Sequence, residues 1–110
     1  MTILYMPFQI SVTANNIECE ATSHLSCEKK QKIRLIAVGI APGTTQDTYI
    51  VAYRGLEQLC GKGHLDAIID ENTHTIIFNV ELKEGEKFSI KAWSGTAKTI
   101  YGVFMYEFLI

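Results

Sequence analysis

The run His74-Thr-Ile-Ile-Phe-Asn-Val-Glu-Leu-Lys-Glu-Gly-Glu-Lys-Phe-Ser-Ile-Lys-Ala-Trp93 decides the fold. Ile76, Phe78, Val80 and Leu82 share one parity, and Lys83-Glu84-Gly85 then makes a short turn. Beyond it, Phe88, Ile90 and Ala92 alternate with Lys87, Ser89, Lys91 and Trp93. A period of two marks a strand with one face on a core and the other in water.

The same period recurs outward in both directions. Leu4, Phe8, Ile10 and Val12 alternate with polar residues, Asn15-Asn16 supplies a turn, and Ile17–Thr22 alternates again, which predicts a hairpin. Ser23–Gln31 is polar and reads as a loop. Lys32–Ala41 is apolar on both parities, as in a central strand, and turn residues from Pro42 to Asp47 end it. Thr48–Arg54 forms the next strand through Tyr49, Val51 and Tyr53. Leu56, Leu59 and Cys60 have helical spacing over a segment long enough for about one turn. His64–Asp70 alternates again, Ser94–Lys98 is a loop, and Thr99–Ile110 is the last strand.

Forty of the 110 residues are β-branched or aromatic, the types that suit a pleated, half-buried surface. About eight strands with turn signals at roughly 8–12-residue spacing predict one all-β domain over 1–110, an antiparallel, jelly-roll-like β-sandwich. With 47% hydrophobic and 20% charged residues, the chain is too apolar for disorder.

Charge and cysteines narrow the function classes. The net charge of −2 and the scattered basic residues, apart from Lys29, Lys30 and Lys32, argue against a nucleic-acid binder. No run approaches the roughly 20 apolar residues of a membrane helix, so no membrane partner is expected. No secretory signal is visible at the N-terminus, which predicts cytoplasmic synthesis. Cys19, Cys27 and Cys60 are odd in number without CxxC spacing, so neither a disulfide framework nor a zinc site is expected. Cys19 shares a parity with Ile17 and Ala21 and reads as a buried structural thiol in a reducing compartment.

Few groups converge on catalysis. His24, His64 and His74 show no metal-ligand spacing, and no cofactor is expected. His64 and Asp66 fall on one strand face, and Cys60 would be the only nearby thiol nucleophile; a non-enzymatic role is preferred. Asp70, Glu71 and Asn72 lack the calcium-loop pattern, and Gly61-Lys62-Gly63 lacks the phosphate-cradling one.

Two features point to binding. Trp93 lies on the polar parity of its strand, either a strand-end residue tucked under the Ser94–Lys98 loop or a flat apolar platform for an interface or a sugar ring. The last strand is apolar on both parities, Ile100, Phe104, Tyr106, Phe108 and Ile110 against Tyr101, Val103, Met105 and Leu109. One set meets the core, and the other needs a cover, which self-assembly would supply and which a long loop over a central strand would supply as the alternative.

The segment Phe78–Gly95, followed by Tyr101–Ile110, resembles the closing strands of the tumour-necrosis-factor/complement type of jelly roll, through Leu82, Gly85, Phe88, Phe108 and Leu109. The resemblance covers the last third of the chain. It implies a final strand packed near a trimer axis. Similar compact jelly rolls serve as capsid, cement and fibre-head subunits of virus and phage particles. The expected function is therefore a structural virion subunit, a homo-oligomer with a trimer favoured, joined through Tyr101, Val103, Met105 and Leu109, with other virion proteins as further partners. The alternative expectation is a carbohydrate-binding module that holds a glycan with Trp93, Tyr101, Asp66, Asp70 and Asn72.

Overall fold

The computed structural model describes residues 2–42, 47–59 and 63–109. In chain order the elements are β1 (Leu4–Val12), β2 (Cys19–Glu20), β3 (Leu25–Ser26), β4 (Ile33–Ile40), β5 (Thr48–Arg54), β6 (Glu57–Gln58) and β7 (Gly63–His64). The helix α1 (Leu65–Ile68), β8 (Thr75–Leu82), β9 (Lys87–Ser94) and β10 (Lys98–Phe108) follow.

Two antiparallel sheets face each other. The first runs β1-β10-β4-β8; the second runs β2-β9-β5-β6, with β3 also on β9 and β7 also on β5. Taking β2 with β3 and β6 with β7 as interrupted strands leaves eight. Their order is first-eighth-third-sixth over second-seventh-fourth-fifth, the strand order of a jelly roll. The expected all-β sandwich is therefore the fold.

The core lies between the sheets. Phe8, Ile10, Leu35, Val38, Ile100 and Phe104 come from the first sheet, and Ile50, Ala52, Phe88, Ile90 and Ala92 from the second. The even parity of β10 thus faces inward at Ile100 and Phe104. Tyr106 packs against that core, whereas Phe108 is 45% exposed and lies edge-on to Tyr106. Ile110 lies outside the described residues.

Four local expectations are corrected. Asn15 and Asn16 do turn the chain, both with positive φ, but β1 pairs with β10 and β2 with β9. The turn carries the chain from one sheet to the other instead of closing a hairpin. The polar segment Ser23–Gln31 contains β3, which pairs with β9. Helix-like spacing after Arg54 is overridden by a two-residue turn: Gly55, at φ 61°, lets β6 fold back on β5. The strand expected from His64 begins instead as α1, because the His64 side chain accepts the Asp66 backbone N–H and caps a helical turn.

The free edges of the first sheet are blunted. Gln9 turns its backbone N–H and carbonyl away from β10, to the Thr22 hydroxyl at 3.2 Å and the Thr22 N–H at 2.8 Å. Pro7, two residues earlier, presents the same outer edge with no N–H to offer. At the opposite edge, Asn79 in β8 sits at φ 53°, where the β8–β4 register slips.

Candidate interaction surface

The surface outside the first sheet is built from odd-numbered residues of β1 and β10. Cross-strand register places Tyr5, Met105, Ala37 and Ile77 in one row and Pro7, Val103, Gly39 and Thr75 in the next. Gln9 and Tyr101 form a third pair. This apolar arrangement crosses all four strands. Tyr5 is 63% exposed, Ile77 71% and Tyr101 53%, values that set them apart from core residues.

Gly39 shapes the middle of this surface. A Cβ there would lie 3.0 Å from Val103 Cγ1 and 3.1 Å from Met105 Cε, so both side chains drape over its bare backbone. A groove of about 390 Å3 runs beside them past Ala41, Thr73 and Tyr101. Charges gather at one end, where Arg34 meets Glu107 at 3.3 Å and Glu81 at 3.5 Å, and Lys32 meets Glu81 at 3.7 Å. Glu107 is buried and its Oε2 has no hydrogen-bond partner, so Arg34 is what makes the carboxylate tolerable there.

Of the four residues expected at the seam, Tyr101, Val103 and Met105 lie together on this face. Leu109 follows β10, half-buried, its N–H donated to the Lys32 carbonyl at 2.8 Å. Sequence reasoning missed Tyr5 and Ile77, whose place here depends on which strands flank β10.

The residues expected to bind sugar are not brought together. Trp93 is on the outer face of the second sheet, opposite Tyr49, which is itself opposite His64. Tyr101 is on the outer face of the other sheet, across the whole sandwich. Asp66 lies in α1. Asp70 Oδ1 accepts the Asn72 N–H at 2.8 Å, so its carboxylate closes its own turn.

The catalytic arrangement is likewise divided. His64 and Asp66 do not share a strand face; the imidazole Nδ1 accepts the Asp66 backbone N–H at 3.2 Å. Cys60 and the Gly61-Lys62 pair lie outside the described residues. Among the described residues no three His, Cys, Asp or Glu side chains are grouped to hold a metal, and no helix is long and apolar enough to cross a membrane.

Cys19 is half-buried, whereas Cys27 is buried and donates its thiol to the Gln31 carbonyl at 3.2 Å. Burial pushes the Cys27 thiol above its ordinary value of 9.0; Glu86, Glu28 and Glu84 add to the rise, and a backbone hydrogen bond from Ile33 opposes it. The native state therefore keeps a proton that the unfolded chain releases. The stabilisation is complete below the unfolded thiol's value and is lost as pH rises through the folded one. Near neutral pH an alkylating reagent should label Cys19 directly and Cys27 only upon unfolding, as read by peptide mass spectrometry. Equal native labelling rates at the two thiols would contradict this.

A scan against protein-family models finds no match, and a search of curated proteins finds no relative.

Proposed function

We propose that this domain is a non-enzymatic structural subunit that self-associates through the outer face of its first sheet. The apolar surface centred on Val103 and Met105 carries the reading. It crosses four strands while its charges are confined to one end and paired with each other. Blunted sheet edges support the choice of face over edge, because a strand that lacks a donor or carries a bulge is a poor template for another chain. A closed trimer with β10 near the axis, and service in an assembled particle such as a virion, are what the likeness of the last third to the tumour-necrosis-factor/complement jelly rolls adds.

Light scattering coupled to size exclusion tests this. The expected mass is three times the 12.3 kDa of one chain, constant over a range of concentrations. Met105→Asp places an unpaired carboxylate in the seam, at a cost of about 3–5 kcal/mol per buried charge, and should reduce the mass to 12.3 kDa with the circular dichroism unchanged. A wild-type mass of 12.3 kDa at every concentration, or an unchanged assembly in Met105→Asp, would refute the proposal.

A further inference from the structure

The groove beside Val103 and Met105 ends at His74. This histidine sits in the turn before β8, at φ 54°, and its carbonyl accepts the Ile40 N–H at 2.9 Å, which ties the turn to the end of β4. Its side chain is half-buried and lines the groove together with Tyr101. Register puts it at the opposite end of the face from Arg34 and Glu81, since the β4–β8 pairing runs from Gly39–Thr75 to Arg34–Glu81.

No acid is placed to hold a proton on this ring. Among the described residues the imidazole forms no ion pair. The strands that floor the groove keep their charges elsewhere: on β4 and β10, Arg34 and Glu107 pair with each other, and Lys98 reaches the Thr48 hydroxyl at 3.1 Å. On β8, Glu81 belongs to the same distant network. In the turn itself, Asp70 Oδ1 accepts the backbone N–H groups of Asn72 at 2.8 Å and Thr73 at 3.4 Å. Glu71, and Asp66 on α1, are exposed to water. In a single chain, solvent is therefore what stabilises the charged ring.

A second copy laid over the groove removes that solvent. Burial disfavours the charged form of an imidazole, so a covered ring must be neutral. We propose that protonation of His74 controls self-association through this face: the seam closes over the neutral ring and opens when the ring is charged. The inference rests on the self-association reading and adds its regulation. By linkage, assembly then releases protons, so it is complete above the ordinary imidazole range, around pH 6.5, and is lost as the pH falls through it. For a ring excluded from the seam when charged, a fall from about pH 7.5 to about 5.5 weakens association about tenfold, and about a thousandfold for the three rings of a trimer.

The test is sedimentation of the whole chain over a dilution series, from about pH 8 to about pH 5.5, with circular dichroism recorded on the same samples. The wild-type association constant is expected to fall by the factor given, with the circular dichroism unchanged. His74→Gln, neutral throughout, should associate with the same constant at both ends of the range. His64→Asn, on the second sheet and still able to cap α1, should keep the wild-type pH dependence. A single-chain mass at pH 8 at every concentration would remove the seam and this control with it. An assembly at pH 8 whose constant does not change on acidification would overturn the control by His74 and leave the seam standing. So would a pH dependence that survives in His74→Gln, or dissociation that coincides with loss of the circular dichroism.

Discussion

Phe104→Ala is expected to cost about 3–5 kcal/mol, against a total stability of about 5–15 kcal/mol for a domain of this kind. The side chain is fully buried and joins the two sheets. On its own sheet its ring stacks on Phe8 at 4.5 Å; across the core it meets Phe88 edge-on at 5.8 Å. Phe88 in turn meets Phe78 at 5.2 Å, so one aromatic chain ties β1, β10, β9 and β8 together. Truncation removes its central link and leaves a void that neighbours held in two separate sheets cannot close. Urea denaturation should show a lower midpoint with an unchanged slope. A loss below about 1 kcal/mol would mean that the sheets collapse around the gap, and that Phe104 is not the link described.

Gly102→Val should be of similar severity, for the opposite reason. Gly102 stands directly across from Phe8 in the β1–β10 pairing, and the Phe8 ring lies over the place where a side chain would begin. A Cβ there would meet Phe8 Cε1 at 2.7 Å and the Gly39 carbonyl oxygen at 2.8 Å. The ring has little room to move because it is stacked on Phe104, and the carbonyl belongs to the backbone of a neighbouring strand. Overpacking of this kind costs about 1–3 kcal/mol and more where backbone must shift, so the upper end is expected for valine. Gly39→Ala is the control. Its Cβ meets the flexible end of Met105 and a Val103 methyl at 3.0–3.1 Å, and a loss below about 1 kcal/mol is expected in the same denaturation experiment. Equal losses at the two glycines would show that the Phe8 contact is not what excludes a side chain at Gly102.

Strand alternation made much of this fold legible. Ile76, Leu82, Phe88, Ile90 and Ala92, which share parities in the opening stretch, are all buried. What the sequence did not carry was the pairing of strands distant along the chain. Ile17–Thr22 alternates as well as any hairpin partner, yet the neighbour of β1 is β10, and no local pattern announces it. The parity of β4 was hidden for a related reason. Its register with β10 slips between Leu35 and Ala37, with Ile36 as the extra residue, so Ile33 and Leu35 face inward before the slip, and Val38 and Ile40 after it. A strand apolar on both faces gives no sign of such a slip. The β10 half of the candidate seam was legible because both parities of that strand are apolar. Tyr5 and Ile77 were not, since each looks like a solitary exposed residue until the register lines it up with Met105. The place of His74 in the seam groove was hidden more completely, because a turn meets β4 and β10 there.

The pairing of β1 with β10 also constrains when the protein becomes a folded object. Synthesis at about 5–20 residues per second delivers β1 before the other strands of this sandwich, yet the strand it pairs with, β10, is the last of them to be made. β4 waits for the same strand, since β10 lies between β1 and β4 at the centre of their sheet. Until β10 arrives, β4 has only β8 beside it and β1 has no neighbour in its sheet, so the inward residues of β1 lack the strand that holds them over the core. A ribosome-bound chain stalled before Lys98 should therefore be digested as readily as an unfolded one, and protection should arise in one step as the final strand emerges.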